Sequence, residues 1–468
     1  MMAEPAAALG RPYDVVVIGG GVVGSAVFRE FVLAGLHTVL LEQDADLLNG
    51  ASKGNSGLLH TGFDATPGSL EVRCMQEGYR RYQEVRAGLN LPFEPTGAIV
   101  VAWTQAQHDM LPQIVAQAHA NGVTDVRLAS AEEVLAREAK LNPAVFGGVL
   151  IPGEGMIDPW SAPLAYVLQG LANGGTVRRG FAVGGGTFAS GAWQLVAPAG
   201  SISARVVINC AGNYGDLGEA IARPSPFRIR PRKGQFVVFD KTAHELARSI
   251  LLPVPTARTK GVVVSRTIFG NLIVGPTAED QDERRHASVD ETVLRGLIEE
   301  GQRILPGLAQ EPVTAVYAGL RPATEFKDYQ IEALPQQGWI SVSGIRSTGL
   351  TASLGIAAYV RGLFESHFFA SAPLSDPVLT PVPNLSQTGS RPYQDAGHSA
   401  LVCQCELVTR REIEAAFEGA LPVATLGGLK RRTRCTMGRC QGFYCLRQVS
   451  EIAAGRASGL PSAPRVQA

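Results

Sequence analysis

The sequence predicts an α/β protein in three parts, and three observations support this fold class. First, residues 13–42 have the pattern of a buried strand, a glycine-rich turn, a helix and a second strand, a unit typical of parallel sheets. Second, residues 227–277 contain short apolar runs separated by turn residues, which favours an antiparallel sheet. Third, a segment rich in Pro, Ser and Gly precedes a small cysteine-rich module.

The first unit has the pattern of a dinucleotide-binding turn. Apolar residues 15–18 predict a buried strand. It leads into Gly19-x-Gly21-x-x-Gly24, where the glycines permit a tight turn, close approach of a pyrophosphate and close helix packing. The helix N-terminus attracts phosphates, and Glu42, closing the second strand, suits an adenosine ribose. A glycine-rich turn without a ligand is the alternative, and the pattern fits NAD and FAD equally.

The other elements follow from apolar runs and caps. Strands are predicted over 97–103, 147–151, 206–212, 236–239, 261–264, 271–275, 313–324 and 339–344, with a further strand and a hairpin in 176–205. Helices are predicted twice in 105–140, from Asp158-Pro159 to Gly174, over 287–306, after 345–351 and, in the cysteine-rich module, over 409–417. Ser130 is the expected N-cap of the second of these helices, because Glu133 follows at the capping-box spacing.

Composition limits the class of partner. The 468 residues suffice for two or three domains, and the 42 basic and 42 acidic residues cancel, so no overall field favours nucleic acid. No apolar run reaches the roughly 18–20 residues of a membrane span, and the first eleven residues are too short for a signal peptide. We expect a cytoplasmic protein without a transmembrane segment, with peripheral attachment to the inner membrane face as a further option.

The loop over residues 49–62 is small, polar and rich in glycine, and it contains His60 beside two leucines. In a dinucleotide enzyme such a loop is expected against the phosphates and ring of the cofactor. The simpler alternatives are a surface loop and a structural histidine.

This loop, read as Ser52-Lys-Gly-Asn-Ser56-Gly-Leu-Leu-His60-Thr-Gly, together with the glycine turn, resembles the FAD-dependent glycerol-3-phosphate dehydrogenases and oxidases. These belong to the D-amino-acid-oxidase-like flavoproteins, whose L-2-hydroxyglutarate oxidases share a similar loop. The resemblance implies FAD, a glutathione-reductase-type Rossmann domain and an antiparallel-sheet substrate domain. The positions it implies for cofactor contact are Gly19, Gly21, Gly24, Glu42, Ser52, Ser56, Gly57, Leu58, Gly212, Gly349, Leu350 and Thr351.

The same resemblance implies the substrate site. His60 takes the position of a general base, a role that a free histidine pKa near 6.5 suits. Arg321, Lys260 and Ser347 take positions that contact the substrate. Arg321 offers planar paired hydrogen bonds to a phosphate or carboxylate, whereas Lys260 acts as a point charge and has an exposed loop lysine as its alternative.

Five of the seven cysteines crowd the C-terminal module, which indicates metal or redox chemistry in a cytoplasmic protein. The pairs Cys403-x-Cys405 and Cys440-x4-Cys445 suit an all-cysteine site of four ligands. Zinc usually takes C-x2-4-C pairs, so the combination of C-x-C with C-x4-C is unusual for zinc. On an electron-transfer enzyme an iron–sulfur cluster makes more chemical sense, and it is favoured over zinc and over disulfides alone. Cys435 is interpreted as a nearby residue that is not a ligand.

The cysteine segment, with CQCELVT, TLGGLKRRTR and MGRCQGFYC, resembles the bacterioferritin-associated-ferredoxin-like [2Fe–2S] domain. Five basic residues within 430–439 would offset the cluster charge, or else form a solvated face. We expect an oxidoreductase over 1–372, with FAD segments at about 12–90, 145–225 and 315–372 and substrate segments at about 91–144 and 226–314. A linker at 373–398, the [2Fe–2S] domain at 399–455 and a tail at 456–468 follow.

The resemblance favours oxidation of glycerol 3-phosphate to dihydroxyacetone phosphate, with electrons passing from flavin through the cluster to a quinone or a partner redox subunit. A 2-hydroxy-acid or amino-acid dehydrogenase is the first alternative, since fold-level analogy does not select the substrate. A flavin and iron–sulfur carrier without a small-molecule substrate is the second.

Overall fold

The computed structural model describes residues 11–255 and 261–460, which form 22 strands and 12 α-helices. Strands β1 to β22 are Tyr13–Ile18, Thr38–Glu42, Leu58–Leu59, Phe93–Glu94, Ala98–Ala102, Arg127–Ser130, Gly147–Ile151, Gly155–Ile157, Thr176–Arg179, Gly185–Ala189, Ala192–Ala197, Gly200–Asn209, Arg232–Phe239, Ile250–Pro253, Val263–Arg266, Leu272–Gly275, Glu279–Asp280, Val313–Arg321, Gln330–Leu334, Trp339–Ser343, Leu401–Cys403 and Val408–Thr409. Helices α1 to α12 are Val22–Leu33, Leu70–Leu89, Gln105–His108, Leu111–Ala120, Ala131–Arg137, Ser161–Ala172, Gly215–Ala222, Glu291–Ile304, Gly349–His367, Arg410–Ala415, Leu426–Thr433 and Leu446–Ala453.

The first sheet is the predicted parallel sheet. Its centre runs β9-β2-β1-β12-β20, and every neighbouring pair in that run is parallel. The hairpin of β10 and β11 extends β12, and β19 adds an antiparallel edge to β20. The central strands β1, β2 and β20 are buried, as their apolar runs predict. Helices α1 and α9 pack together beside the sheet and meet through the edge-to-face rings of Phe31 and Phe364.

The second sheet is mostly antiparallel and has its own core. Its order is β17-β13-β16-β15-β14-β5-β7-β6, with β18 on the other side of β13. This arrangement confirms the predicted antiparallel-sheet domain. Strand β7 lies in this sheet between β5 and β6, so residues 147–151 fall on the substrate side of the division expected near residue 145. Strand β6 occupies part of the segment for which only helices were predicted.

A small third sheet joins the two domains. Strand β3 pairs with β8, and β8 pairs with β4. The pairing of Leu59 with Gly155 brings the end of the glycine-rich loop to the turn between β7 and β8. This contact positions the histidine that follows β3.

The linker and the C-terminal module lie against the rest of the protein. Linker backbone amides of Leu374, Val382 and Gln387 donate to carbonyls of Leu33, Leu89 and Ile268. In the module, α10 begins with the capping box of Thr409 and Glu412 and matches the predicted helix. Helices α11 and α12 were not predicted, because each has only eight residues and few apolar positions from which to recognise a helical period. Within the described residues, no helix is both long and apolar enough to cross a membrane.

Candidate functional site

The glycine turn has the close contacts that its residues predict. Gly19 has a φ of +104°, and a Cβ atom at Gly24 would lie 1.9 Å from the Gly19 carbonyl oxygen. The backbone N–H of Val22, at the start of α1, donates to Ser52 Oγ at 2.9 Å. The 49–62 loop is thereby held at the helix N-terminus, where a pyrophosphate is favoured.

Glu42 lies beside this turn at the end of β2. One carboxylate oxygen accepts from Gly20 N at 2.7 Å and the other from Asp44 N at 2.8 Å. Burial raises the pKa of Glu42, and these backbone donors oppose that shift. The carboxylate is therefore fixed at the place where its motif predicts a ribose.

A cleft opens between the glycine turn and the start of α9. Six of the residues predicted to contact cofactor or substrate line it: Gly21, Ser52, Gly212, Ser347, Gly349 and Leu350. Gly212 has a φ of +55°, and no atom lies within 4 Å of the position that its Cβ would take. Ser343, which also lines the cleft, has a buried hydroxyl without a hydrogen-bond partner among the described residues. An open glycine, a helix N-terminus and an unsatisfied hydroxyl together suit a dinucleotide.

The loop between Ser52 and His60 is fixed under β18. Gly54 packs on Gly319 so closely that a Cβ at Gly54 would lie 2.5 Å from the Gly319 Cα. Tyr317 donates its hydroxyl to the Asn55 carbonyl at 3.0 Å. Ser56 is half-buried, Gly57 has a φ of +74° and bonds through its carbonyl to Ile157 N, and Leu58 is buried in β3. The loop is thus held between the two sheets.

His60 is oriented by a carboxylate that sequence reasoning missed. Its Nδ1 lies 2.7 Å from Oε2 of Glu154, a residue whose side chain is fully buried. The other oxygen of Glu154 accepts from Thr61 N at 2.6 Å and from Thr61 Oγ1 at 2.9 Å. The backbone N–H of His60 donates to Thr351 Oγ1 at 3.0 Å, next to the cleft wall. The only sequence signal for Glu154 was an acidic residue between two glycines in a turn between strands, too weak to identify it.

The predicted substrate residues differ in placement. Ser347 is exposed in the cleft. The guanidinium of Arg321 donates to the carbonyls of Thr277, Lys233 and Arg232 at 2.6, 3.1 and 3.2 Å. Burial, and then the nearby Arg232, lowers the pKa of Arg321 to about 10, so it remains a cation at neutral pH. Lys260 lies outside the described residues.

The five C-terminal cysteines come together in two contacting groups. The sulfur atoms of Cys403, Cys435 and Cys445 lie within 4.8 Å of one another and are buried. The thiols of Cys405 and Cys440 contact each other and are partly exposed. The structure therefore brings the cysteines together in a donor set that suits an iron–sulfur cluster. It also places Cys435, which the sequence analysis interprets as a non-ligand, within ligand distance of Cys403 and Cys445.

The basic segment 430–439 holds the module to the body. Arg431 is buried and donates to the Leu47 carbonyl at 3.0 Å. Arg434 is also buried, and its Nε lies 2.7 Å from Glu406. Because both side chains are buried, these two arginines do not belong to a solvated basic face. Nearby, Asp46 accepts from Ala424 N and from Thr425 Oγ1, which fixes the module to the loop that follows Glu42.

An aromatic bridge connects the module to the two larger domains. The Arg434 guanidinium carbon lies 3.9 Å from the centre of the Phe269 ring. Phe269 stacks on Trp160, with ring centres 5.7 Å apart and an interplanar angle of 11°. Phe269 belongs to the β15–β16 turn and Trp160 precedes α6, so residues beside the cysteines, the second sheet and the first domain meet here.

Comparison with known proteins identifies the class. Residues 14–363 match the FAD-dependent oxidoreductase family, and residues 401–454 match the BFD-like [2Fe–2S] binding domain. The chain therefore belongs to the FAD-dependent oxidoreductase family, here with an appended iron–sulfur domain. The predicted family, fold class and cofactors, FAD and a [2Fe–2S] cluster, are confirmed.

Individual relatives show which enzymes of this family the chain resembles. The chain is 29% identical over 450 residues to a glycerol 3-phosphate dehydrogenase of Caloramator mitchellensis, covering 94% of each chain. It is 27% identical to one subunit of the anaerobic glycerol-3-phosphate dehydrogenase of Escherichia coli, over 92% of this chain and 86% of that one. The FAD-bound L-α-glycerophosphate oxidase of Mycoplasma pneumoniae superposes with a TM-score of 0.75 and 25% identity, over 80% of this chain and all of that one. The protein is thus an FAD-dependent oxidoreductase similar to glycerol-3-phosphate dehydrogenases, rather than a carrier without a substrate.

Proposed function

We propose that the protein oxidises glycerol 3-phosphate to dihydroxyacetone phosphate and delivers the electrons through its iron–sulfur cluster to an external acceptor. The observation that carries the proposal is the His60–Glu154 pair beside the cofactor cleft, on a chain whose full-length relatives include glycerol 3-phosphate dehydrogenases. A carboxylate-oriented imidazole is suited to removing the hydroxyl proton of an alcohol.

His60 is the general base in this proposal. Glu154 accepts a hydrogen bond from the Nδ1–H group, which fixes the tautomer of the ring. The unprotonated Nε2 is then the atom that removes the hydroxyl proton of the substrate. FAD, when bound, would supply the hydride acceptor for the carbon that carries the hydroxyl. Glu154 then stabilises the imidazolium through the same contact, so the proton lost by the substrate remains on His60 until solvent removes it.

The substrate phosphate is assigned to the cationic and hydroxyl groups of the second domain. Arg321 has a guanidinium positioned by three carbonyls, and Ser347 is exposed in the cleft. Lys260 completes the predicted set, outside the described residues. A fixed cation favours a dianionic phosphate over an uncharged alcohol, and this supports a phosphorylated substrate.

We further propose that the contacts with FAD are those of the predicted residues: Gly19, Gly21, Gly24, Glu42, Ser52, Ser56, Gly57, Leu58, Gly212, Gly349, Leu350 and Thr351. The cluster ligands are Cys403, Cys405, Cys440 and Cys445, and the domain division is that of the sequence analysis, with residues 147–151 moved to the substrate domain. The acceptor is a quinone or a partner redox protein, and the latter is supported by the Escherichia coli relative, which is named as one subunit of its enzyme.

The test is anaerobic bleaching of the flavin absorbance at roughly 450 nm by a panel of substrates. Glycerol 3-phosphate, L-2-hydroxyglutarate, lactate, proline and glycine derivatives are compared at equal concentration. Rapid bleaching by glycerol 3-phosphate alone is expected. Bleaching by a hydroxy acid or an amine instead would show that the enzyme of this family has a different substrate. A flavin that no compound bleaches would refute the proposed reaction.

A further inference from the structure

Two aromatic side chains project into solvent from the loop between the last two predicted cluster ligands. Phe443 is 84% exposed and Tyr444 is 82% exposed. No other large apolar side chain in the part of the chain that the structure describes exceeds 56%. An exposed aromatic pair of this kind is typical of an interaction surface rather than of a solvent-facing loop.

The loop that presents them is well ordered by its own hydrogen bonds. Phe443 N donates to the Cys440 carbonyl at 3.0 Å, and Cys445 N and Leu446 N donate to the Gly442 carbonyl at 3.2 and 2.8 Å. The two rings meet edge to face, with centres 5.1 Å apart. The exposure therefore belongs to a fixed turn, and the rings are presented together in one orientation.

The pair lies between Cys440 and Cys445 in the chain, next to the more exposed part of the cysteine cluster. Cys440 and its neighbour Cys405 are partly exposed, whereas Cys403, Cys435 and Cys445 are buried. On the inner side, Arg434 connects the module to Phe269 and the flavin-bearing body. A cluster in this position would receive electrons from the inner side, and its most accessible edge would lie at the aromatic loop.

The chain segment that contains the loop is basic. Residues 419–450 contain six basic residues and no Asp or Glu. Two of them flank the loop with exposed side chains, Arg439 at 60% and Arg447 at 72%, and Arg439 is paired with the buried carboxylate of Asp240. Arg447 shares its charge with Glu451 at 3.0 Å, but exposed pairs of this kind are weak and open easily. A partner that covers Phe443 and Tyr444 therefore meets two exposed guanidinium groups at the edge of the aromatic pair.

We propose that Phe443, Tyr444, Arg439 and Arg447 form the docking surface for an acidic one-electron redox protein that accepts the electrons. The inference rests on the proposed function, in which electrons leave through the cluster. Each oxidised substrate yields two electrons, so two acceptor molecules are each reduced by one electron and two protons pass to solvent. The aromatic rings provide the apolar contact, and the arginines steer the acidic partner and fix its orientation.

The test uses the holoenzyme with acidic b-type cytochrome as the probe acceptor. The double variant Phe443→Ala/Tyr444→Ala is compared with wild type and with Phe146→Ala, a control that removes a 46% exposed ring from the second domain. The double variant is expected to reduce the cytochrome with a kcat/KM lowered about tenfold or more, while ferricyanide reduction and the control remain unchanged. An unchanged cytochrome rate would overturn the proposal.

Reversing the charge at Arg447 gives an independent test, because the proposal predicts in which direction each reduction rate changes. Arg447→Glu is expected to slow reduction of the acidic b-type cytochrome and to accelerate reduction of a basic c-type cytochrome, and raised ionic strength should weaken both effects. Equal changes with both cytochromes, or none, would contradict an acidic partner. Loss of binding to vesicles containing phosphatidylserine, with an unchanged cytochrome rate, would assign the surface to a membrane instead.

Two spectroscopic controls separate this inference from the proposed function. Flavin bleaching by substrate and the electron paramagnetic resonance signal of the substrate-reduced cluster are recorded for each variant. Their absence in the wild type would refute the proposed function. Their presence in all variants, with cytochrome reduction unaffected by the aromatic loop, would overturn only the docking surface.

Discussion

Replacing Glu154 with Gln tests whether His60 acts as a base. Of the three hydrogen bonds that Glu154 accepts, the two from Thr61 can be kept by the glutamine carbonyl. The glutamine NH2 group then replaces Oε2 of Glu154, the oxygen that lies 2.7 Å from His60 Nδ1 in the wild type. An amide N–H there requires Nδ1 to be the acceptor, which moves the ring proton to Nε2 and removes the base from the substrate side.

The expected loss follows from this change of tautomer. A positioned general base contributes about 10²–10⁴-fold to a rate, and the lower figure corresponds to about 2.7 kcal/mol of transition-state stabilisation. The variant should fold and bind FAD, because both Thr61 contacts remain and the substitution removes a buried charge without changing the volume. The large loss should therefore appear in the rate of flavin reduction and not in flavin content.

The assay is stopped-flow anaerobic flavin reduction by glycerol 3-phosphate over a range of pH. Thr61→Val is the matched control, since it removes one hydrogen bond to Glu154 at 2.9 Å and leaves the His60 contact. A reduction rate of Glu154→Gln within about threefold of wild type, a barrier change below 1 kcal/mol, would refute the assigned role of the pair.

Three further outcomes are expected. Cys435→Ala should keep the cluster and Cys445→Ala should lose it, as measured by iron content and electron paramagnetic resonance. Gly24→Ala should lower flavin content and cost about 1–3 kcal/mol of unfolding free energy, because its Cβ would meet the Gly19 carbonyl. Phe269→Leu removes the ring between Arg434 and Trp160. It should lower the free energy of unfolding by about 1–3 kcal/mol, and the cluster should be reduced with a delay after the flavin bleaches.

The cysteine variants have a matched control, and each of the three predictions has a contrary result. Cys74→Ala, remote from the module in sequence and buried between α2 and α9, controls for loss of any buried thiol. Retention of the cluster in Cys445→Ala, or its loss in Cys435→Ala, would contradict the proposed ligands. Full flavin content in Gly24→Ala would contradict the packing argument, and simultaneous reduction of flavin and cluster in Phe269→Leu would exclude a part for the bridge in the transfer.

Local patterns were the most predictable part of this protein. The strand, glycine turn and helix from Tyr13 onward lie within one short segment, and their spacing already specifies a Rossmann-type unit. Ser130 caps α5 as expected, because its hydroxyl accepts from Glu133 N within the same turn. The helices of the module were less predictable, because short helices depend on packing more than on periodicity.

Distant contacts required the folded chain. Glu154 lies 94 residues from His60, and only the pairing of β3 with β8 brings the carboxylate to the ring. The sequence shows the four-cysteine spacing, but not that Cys435 lies against Cys403 and Cys445.

The sequence by itself determined the family, the dinucleotide turn and the cysteine pairs, since these depend on residues close together in the chain whose chemistry is legible from their spacing. Only the tertiary structure decided which carboxylate orients His60 and how Arg434, Phe269 and Trp160 join the module to the body. The physical reason is that these contacts arise where separate sheets and loops pack together, and their residues share no local pattern.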